Sequence, residues 1–410
     1  MKRQIELLAP AGTIDKLETA LHFGADAVYC GSERYSLRAG SANIATEQLE
    51  QAIAMTHAAG KKFYLALNVY AHEADFDGLA EYLRDVAAMG VDAFIVSDAG
   101  ILTFCQQYAP KVEIHLSTQA NTTNRYAAMF WVKQGVKRIV VAREMPLNEI
   151  AKMREYLPEE IGIEAFVHGA MCISYSGRCL LSNVLSNRPS NHGDCVQACR
   201  WEYEIREKNR GGLPLTIGQE DRGTYILNSR DLNMIGYLDK LIDAGADSLK
   251  IEGRMKSESY VAGTVHAYRL ALDAYLRDPQ HYRVDPYWED ILNRVSHRPY
   301  GTGLYFPGAD NVYTESSRAE TEYTFVARVL GYDEAKQCAI IEQRNRFAVG
   351  AEVEILSANA ACDGKTLTVS AMTDTDGNAV TDALRVQQTL LIPTPLPMQR
   401  GDIWMKKVEV

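Results

Sequence analysis

Residues 60–97 have the sequence GKKFYLALNVYAHEADFDGLAEYLRDVAAMGVDAFIVS, and they contain one complete unit of the pattern that decides the fold. An apolar run at 62–67 predicts a β-strand, and an amphipathic segment at 76–89 predicts a helix. Gly90 then supplies the left-handed cap that commonly ends a helix, and a second apolar run follows at 93–97. Strands that alternate with helices at this interval predict parallel βα units.

The same unit recurs on both sides of this stretch. The first 170 residues contain seven short apolar runs, and an eighth follows later in the chain. Eight such strands favour a TIM-like (β/α)8 barrel, in the α/β class, over an open doubly wound sheet. No strand is followed by a G-x-G-x-x-G or Walker loop, which weakens a nucleotide-binding alternative. The predicted strands are 5–9, 27–31, 62–67, 93–97, 113–117, 138–142, 163–167 and 248–252, and the predicted helices are 13–23, 47–59, 76–89, 125–134, 147–156, 236–244 and 257–277.

The length of 410 residues exceeds the size at which one hydrophobic core usually stops growing, so we expect two domains. After Pro279 the βα pattern ends, and from residue 322 short apolar runs alternate with Gly and Asp turns. This pattern predicts a small all-β barrel or sandwich. We therefore predict a barrel domain at 1–285, a linker at 286–320 and a C-terminal β-barrel domain at 321–410. The predicted strands of the tail are 324–329, 337–342, 351–356, 366–371, 384–390 and 403–408.

The composition is that of an ordinary soluble protein, with a net charge of −10 that argues against a generally basic nucleic-acid coat. No stretch approaches the roughly 20 apolar residues that span a bilayer, so we expect no membrane partner. The start, MKRQIELLAPAG, shows no secretory leader, and we expect a cytoplasmic location. Thiols stay reduced there, so the eight cysteines are not predicted to form four disulfides.

Between the seventh and eighth predicted strands lies an insertion, at about 168–227, that holds four of the eight cysteines. Cys172 is followed after six residues by Cys179, after fifteen more by Cys195, and after three more by Cys199. These thiols lie among Gly, Ser and Asn, which indicates ligands of zinc or of an iron–sulfur cluster rather than packed side chains. Zinc sites usually have two close Cys pairs, and the single close pair here favours a cluster. A hairpin, 203–207 with 224–227, is predicted to follow, and the other cysteines, Cys30, Cys105, Cys338 and Cys362, are predicted to pack.

Polar side chains follow the predicted strands at their carboxyl ends, where barrel enzymes place their chemistry. Each one alone is more often a loop hydrogen-bonding residue, but together they predict a polar pocket. Arg143, Lys250 and Arg254 suit an anionic ligand such as a carboxylate or phosphate. Lys250 and Glu252 share one strand face and could instead form an internal ion pair. The candidate catalytic residues are Lys250, Glu252, Arg254, His168 and Gln119, and the candidate substrate-binding residues here are Asn68, His72, Ser117 and Arg143.

The sequence around the cysteines combines basic and aromatic residues. Residues 168–212 contain six Lys or Arg against four Asp or Glu, with Trp201 and Tyr203 among them. Such a surface can bind single-stranded RNA through phosphate contacts and base stacking, although a solvated surface is the commoner cause. Arg178 and Trp201 are the further candidate substrate-binding residues.

Hydrolase motifs are missing: the chain has neither H-E-x-x-H nor G-x-S-x-G. A cysteine nucleophile, Cys179 or Cys195 beside His168 or His192, remains an alternative. We favour it less, because it would use one thiol out of a cluster of four.

The segment EAFVHGAMCISYSGRCLLS, at 164–182, resembles the signature of the collagenase-like peptidases, the unassigned-type peptidase family 32. The resemblance covers the whole chain, including the β-rich tail. Further matching pieces are ELLAPAG, GADAVYCG, ALNVYAH, HLSTQAN, NRPSNHGDCVQACRWEY and SLKIEGRMKSESYVA.

This resemblance implies more than the family name says, because the better-understood members of the family look like oxygen-independent hydroxylation proteins. One branch acts in ubiquinone synthesis and another on ribosomal RNA, while a third makes 5-hydroxyuridine at the wobble position of tRNA with prephenate. The length and β tail are most like the tRNA branch. A 4Fe–4S cluster is then expected on Cys172, Cys179, Cys195 and Cys199, since Asn233 stands where some relatives have a further cysteine.

The expected partners are therefore the tRNA anticodon loop and a small carboxylate co-substrate, prephenate. Two alternatives stay open at this point. One is a collagenase-like peptidase, and the other is a non-catalytic RNA-binding iron–sulfur factor.

Overall fold

The computed structural model of the chain describes residues 4–31, 34–36, 43–172, 174–188, 190, 194–201, 229–308 and 321–408. Within these ranges it contains a βα barrel followed by an antiparallel β domain. The predicted hairpin at 203–207 and 224–227 lies outside the described residues, and so does His192.

The barrel is a closed parallel sheet, as predicted. Strands β1 to β7 are neighbours in chain order, and β9 closes the ring by pairing in parallel with both β7 and β1. These eight strands confirm the TIM-like (β/α)8 fold. The strands of the first sheet are β1 (Glu6–Pro10), β2 (Ala27–Gly31), β3 (Lys62–Leu67), β4 (Ala93–Val96), β5 (Glu113–Leu116), β6 (Arg138–Val140), β7 (Gly162–Gly169), β8 (Asp231–Asn233), β9 (Ser248–Ile251) and β10 (Tyr300–Gly301).

Two of these strands, β8 and β10, were not predicted. β8 runs antiparallel to the end of β7, with His168 beside Asn233. β10 lies on the other side of β8 and pairs with it in parallel. They are only three and two residues long, so their sequences carry no measurable periodicity. The closing strand β9 sets Lys250 beside Leu8 on one side and beside Phe166 on the other.

Helices surround the barrel, and their starts are set by local capping. Helix α4 was not among the predicted helices, because AGILTFCQQY shows little amphipathic alternation; the Asp98 carboxylate starts it by accepting hydrogen bonds from the N–H groups of Gly100 and Ile101. The helix predicted at 76–89 starts later, because Gly78 has a left-handed backbone with φ 77°. None of the helices in the described ranges is long and apolar enough to cross a membrane. The helices are α1 (Ile14–His22), α2 (Thr46–Ala58), α3 (Leu79–Ala88), α4 (Ala99–Tyr108), α5 (Arg125–Lys133), α6 (Leu147–Tyr156), α7 (Leu181–Ser186), α8 (Leu238–Asp243), α9 (Glu258–Arg277) and α10 (Pro286–Asn293).

The main core lies between the outer faces of the strands and the inner faces of the helices. A smaller cluster, which includes Leu8, Tyr29 and Tyr64, fills the inside of the barrel. The segment predicted as a linker begins with α10, whose Trp288 and Ile291 are buried in the barrel core.

The C-terminal domain is an antiparallel half-barrel with its own core around Trp404, which confirms the predicted small β-barrel domain. Its six-stranded sheet has the order β15-β14-β18-β11-β12-β17, and β13 pairs with β16. The strand predicted at 384–390 begins later, because Gln387 lies in a turn with φ 59°. The strands are β11 (Tyr323–Asp333), β12 (Cys338–Gln343), β13 (Phe347–Ala348), β14 (Glu352–Leu356), β15 (Thr366–Thr368), β16 (Asp382–Ala383), β17 (Thr389–Pro393) and β18 (Ile403–Lys407).

Ion pairs join the C-terminal domain to helices α1 and α9 of the barrel. The buried guanidinium of Arg328 on β11 lies 2.5 Å from Glu18 and 3.3 Å from both Asp15 and Glu258. Burial raises the pKa of Glu258 although nearby arginines counteract it, so this carboxylate depends on its cationic neighbours for its charge.

Replacing Arg328 with methionine is expected to lower the free energy of unfolding by about 2–3 kcal/mol, because the buried carboxylate of Glu258 and the half-buried carboxylate of Glu18 lose their cation. Urea unfolding followed by circular dichroism measures the loss. The matched control is Arg346→Met. The Arg346 side chain is 73% exposed, so its ion pair with Asp382 should contribute below about 1 kcal/mol to the free energy of unfolding. If the free energy of unfolding falls equally in the two variants, Arg328 stabilises the protein no more than an exposed ion pair does.

Candidate functional site

A cavity of about 170 Å³ opens at the carboxyl ends of the barrel strands. One wall is formed by barrel residues and the other by residues between Met171 and Cys199. We call the described residues of 171–201 the cysteine segment. The predicted site residues that line this cavity are Asn68, Ser117, Gln119, Arg143, Lys250, Glu252, Arg254, Cys172, Cys179, Cys195 and Cys199.

The four cysteines of the segment all face this one cavity. Cys172 and Cys195 are exposed, Cys179 and Cys199 are half-buried, and none of them is in a disulfide. Four accessible, reduced thiols on one cavity wall are an arrangement that packing does not require.

The other cysteines form a contrasting class, and they pack as predicted. Cys30 on β2 and Cys105 on α4 are buried, and burial raises the pKa of each thiol to about 12. Cys338 and Cys362 are buried in the C-terminal domain. None of the four has the exposure that a ligand or a reactive thiol needs.

The donor chemistry of the cavity fits an iron–sulfur cluster better than a hard metal ion, since it consists of thiols. Within the described residues, no three His, Cys, Asp or Glu side chains stand close enough together to hold an ion, so ligation would need these thiols to converge further. Two donors already point at sulfur: the N–H of Gln197 lies 3.4 Å from Cys195 Sγ, and Arg143 Nη1 lies 4.0 Å from Cys172 Sγ. Hydrogen bonds of this kind stabilise bound thiolates and tune their potential.

The first half of the cysteine segment is held to the barrel rim by Glu144, which follows β6. Its carboxylate accepts hydrogen bonds from the backbone N–H of Ser176, at 2.8 Å, and from the Ser176 hydroxyl, at 3.1 Å. The next residue, Gly177, has φ 75°, and a Cβ there would lie 2.4 Å from the Tyr70 hydroxyl and 2.5 Å from the Gln119 carbonyl oxygen. Only glycine fits this approach, so the segment docks against the loops that follow β3, β5 and β6.

The second half of the segment is held by two serines. The Ser182 hydroxyl accepts a hydrogen bond from the N–H of Val196 at 3.1 Å and donates one to the Asp194 carbonyl at 3.3 Å. The Ser190 hydroxyl donates to the Cys179 carbonyl at 3.0 Å. These bonds connect the regions around the first and second cysteine pairs.

Lys250 takes part in an internal ion pair, but its partner is Glu164 on β7 rather than Glu252. The distance between Nζ and Oε1 is 2.7 Å, and both side chains are buried. Burial alone would raise the pKa of Glu164, but Lys250 and Arg138 outweigh it and hold that pKa below its usual range. Lys250 Nζ also lies 4.2 Å from the centre of the Tyr29 ring, at the base of the cavity.

The two arginines of the cavity make contacts of other kinds. Arg143 stacks 4.2 Å over the Phe166 ring and lies 3.8 Å from the Glu252 carboxylate. Arg254 is buried and donates to the Ser36 hydroxyl at 3.2 Å. Arg143 is therefore the cation that joins the barrel wall to the thiols.

Family models match nearly the whole chain. A model described as "Peptidase family U32" covers residues 12–314, and one described as "Peptidase family U32 C-terminal domain" covers residues 321–404. The chain belongs to peptidase family U32. This confirms the resemblance that the cysteine motif indicates.

Relatives within the U32 family have names of two kinds. "tRNA hydroxylation protein P1" of Bacillus subtilis is 40% identical over 382 residues, which are 93% of this chain and 89% of that protein. "tRNA hydroxylation protein P" of Escherichia coli is 34% identical over 441 residues, covering 96% and 94%. "Collagenase" of Porphyromonas gingivalis is 32% identical over 310 residues, covering 73% of each chain.

Four of the predicted residues of this U32 chain lie outside the cavity lining. His168 is buried among the rings of Tyr260, Tyr268 and Tyr300, and burial lowers its pKa to about 3, so it stays neutral. The others are exposed: His72 precedes a short 3-10 helix, and Arg178 and Trp201 are on the outer surface of the cysteine segment.

Other residues line the cavity but were not predicted. Glu144 follows β6, where the rule that selected Arg143 could have found it, whereas Tyr29 lies in the middle of β2. Phe166 lies within β7 and shows no polar signal. Tyr175 lies between two of the cysteines, where the prediction of an RNA-binding surface rested on the charged residues, Trp201 and Tyr203.

Proposed function

We propose that this chain hydroxylates RNA, and specifically that it serves the oxygen-independent 5-hydroxylation of the wobble uridine of tRNA. The observation that carries the proposal is one cavity lined by four cysteine thiols and three cationic side chains at the carboxyl end of a barrel. The similarity to tRNA hydroxylation proteins over about nine-tenths of both chains supports RNA as the substrate. A tRNA substrate would put the protein in the cytoplasm.

Cys172, Cys179, Cys195 and Cys199 would hold a 4Fe–4S cluster. A cluster bound there supplies one-electron transfer. Arg143 would compensate the negative charge of the thiolates, and the N–H of Gln197 would donate to Cys195.

The cations would bind a small carboxylate co-substrate, for which prephenate is our candidate. Arg143 and Arg254 have the planar donor geometry that carboxylates need. Lys250 is bonded to Glu164, so it contributes charge at the base of the cavity more than a free hydrogen-bonding group. Burial, and then the Glu252 carboxylate, raise the pKa of Tyr29 well above its usual value, so its hydroxyl keeps its proton and donates to Glu252 at 3.3 Å.

The test of function is complementation of a bacterial strain that lacks every enzyme for wobble-uridine hydroxylation, including redundant ones. Expression of this chain is expected to restore 5-hydroxyuridine derivatives, measured by mass spectrometry of tRNA nucleosides. Cys195→Ser should abolish the restoration, whereas Cys362→Ser, a thiol buried in the other domain, should keep it. A soluble wild-type protein that restores nothing would reject the proposal.

A separate measurement tests the proposed 4Fe–4S cluster. Anaerobically purified protein is expected to contain iron and sulfide in the ratio of a 4Fe–4S cluster, and Cys172→Ser or Cys199→Ser should lower both. A folded, colourless wild-type protein without iron would reject the cluster while leaving RNA modification open to the complementation test.

The peptidase alternative is supported by the family name and by the relative named collagenase. Its chemistry would need a histidine beside a cysteine. No histidine is among the cavity-lining residues in the described part of the chain, and His168 is buried away from them. Gelatin hydrolysis by the purified protein, lost in Cys179→Ala, would favour this alternative.

A further inference from the structure

Tyr175 lies between Cys172 and Cys179 and lines the cavity, yet its side chain is 60% exposed. Among the described residues, its ring stacks on no other aromatic ring and its hydroxyl has no hydrogen-bond partner. An exposed aromatic ring that also lines a cavity is available to stack against a ligand there.

The backbone that carries this ring is held firmly. Ser176, the next residue, is only 7% exposed and is bonded to Glu144. Gly177 fits closely against Tyr70 and Gln119, and the N–H of Arg178 donates to the Tyr175 carbonyl at 2.9 Å. Tyr175 is therefore presented at a fixed place beside the thiols rather than on a loosely held loop.

The surroundings favour a nucleobase over an apolar ligand. Arg178 is exposed three residues along the same turn, where it can contact a phosphate. Arg143 and Arg254 lie within the cavity lining. An aromatic face next to cations is the combination by which proteins bind single-stranded RNA, and a base must leave its stack to reach a buried reactive centre.

We propose that Tyr175 stacks against a nucleobase of the RNA substrate at the entrance of the thiol-lined cavity, and so positions the nucleotide that is modified. This inference rests on the proposed function and adds a substrate-positioning residue to it.

The experiment measures binding of the purified protein to an anticodon stem–loop RNA by fluorescence anisotropy, together with KM and kcat for tRNA modification. Tyr175→Ala is expected to raise Kd about tenfold, with the larger kinetic change in KM, because one base loses its stacking partner. Tyr175→Phe should bind like the wild type, because the ring face is kept. The matched control is Tyr126→Ala, whose ring on α5 is 62% exposed but lies outside the described cavity lining.

The outcomes separate this inference from the proposed function. Unchanged RNA binding in Tyr175→Ala, or an equal loss in Tyr126→Ala, would overturn the stacking role while the wild type still binds and modifies tRNA. A wild type that neither binds nor modifies RNA would reject the proposed function itself. A change in gelatin hydrolysis without a change in RNA binding would overturn the role of Tyr175 in favour of a peptide contact.

Discussion

Replacing Gly177 with alanine is expected to release the cysteine segment from the barrel rim. The left-handed backbone of this residue alone costs a side chain about 1–2 kcal/mol. The new Cβ would also lie 2.5 Å from the Gln119 carbonyl oxygen, which is backbone and cannot move away as a flexible side chain could. Hydrogen–deuterium exchange of residues 174–180 should therefore become faster, and the iron content of anaerobically purified protein should fall.

Gly60→Ala is the matched control for this prediction. Gly60 also has a left-handed backbone, with φ 69°, but a Cβ there would meet nothing within 4 Å. It reproduces the backbone strain without the steric conflict, so it should leave residues 174–180 and the iron content unchanged. If both variants behave alike, the close approach of Gly177 does not hold the cysteine segment.

Replacing Glu164 with glutamine is expected to lower the free energy of unfolding by about 3–5 kcal/mol at neutral pH, because Lys250 and Arg138 then lose a buried counter-charge. Glu164 is fully buried and bonds Lys250 at 2.7 Å and Arg138 at 3.2 Å. Urea unfolding measures the change. Glu149→Gln is the control, because the Lys152–Glu149 pair on α6 is similarly short, at 2.8 Å, but exposed, so its loss should cost below about 1 kcal/mol.

The same pair predicts a pH dependence. The pKa of Glu164 is lowered in the folded protein from its ordinary value of 4.5, so the stability that this carboxylate contributes is complete above that value and is lost as the pH falls below it. The difference in stability between the wild type and Glu164→Gln should be constant from neutral pH down to about pH 5 and shrink on further acidification. A difference that grows in acid would contradict the lowered pKa.

Much of the fold follows from local patterns in the chain. Apolar runs alternating with amphipathic segments were enough to predict the eight barrel strands, because each βα unit carries its own periodicity. Helix α4 was missed because its sequence is apolar on most positions and its start depends on the Asp98 cap. β8 and β10 were missed because they are too short to show a periodicity, and they form only through tertiary pairing, β8 with the end of β7 and β10 with β8.

The candidate site likewise has residues that the sequence predicted and residues that it did not. The spacing of the four cysteines, and the rule that barrel chemistry lies at strand ends, predicted eleven of the 24 described residues that line the cavity, among them its four thiols and three cations. The same rule also selected His168, which follows the bulge in β7 and is buried among tyrosines instead. A strand-end position predicts which end of the barrel a residue occupies, but the local twist of the strand decides whether its side chain enters the cavity.

The order of residues alone was sufficient to predict the barrel, the β tail and the group of four thiols, because periodicity and spacing are properties of residues that are near one another in the chain. The partners of the charged groups depend on the tertiary structure. Glu164 and Lys250 are 86 residues apart, and Glu144 holds Ser176 across 32 residues, so only the closure of the barrel brings them together. The folded chain therefore decides which cations are committed to ion pairs, and it presents the cysteines and Tyr175 over the open end of the barrel.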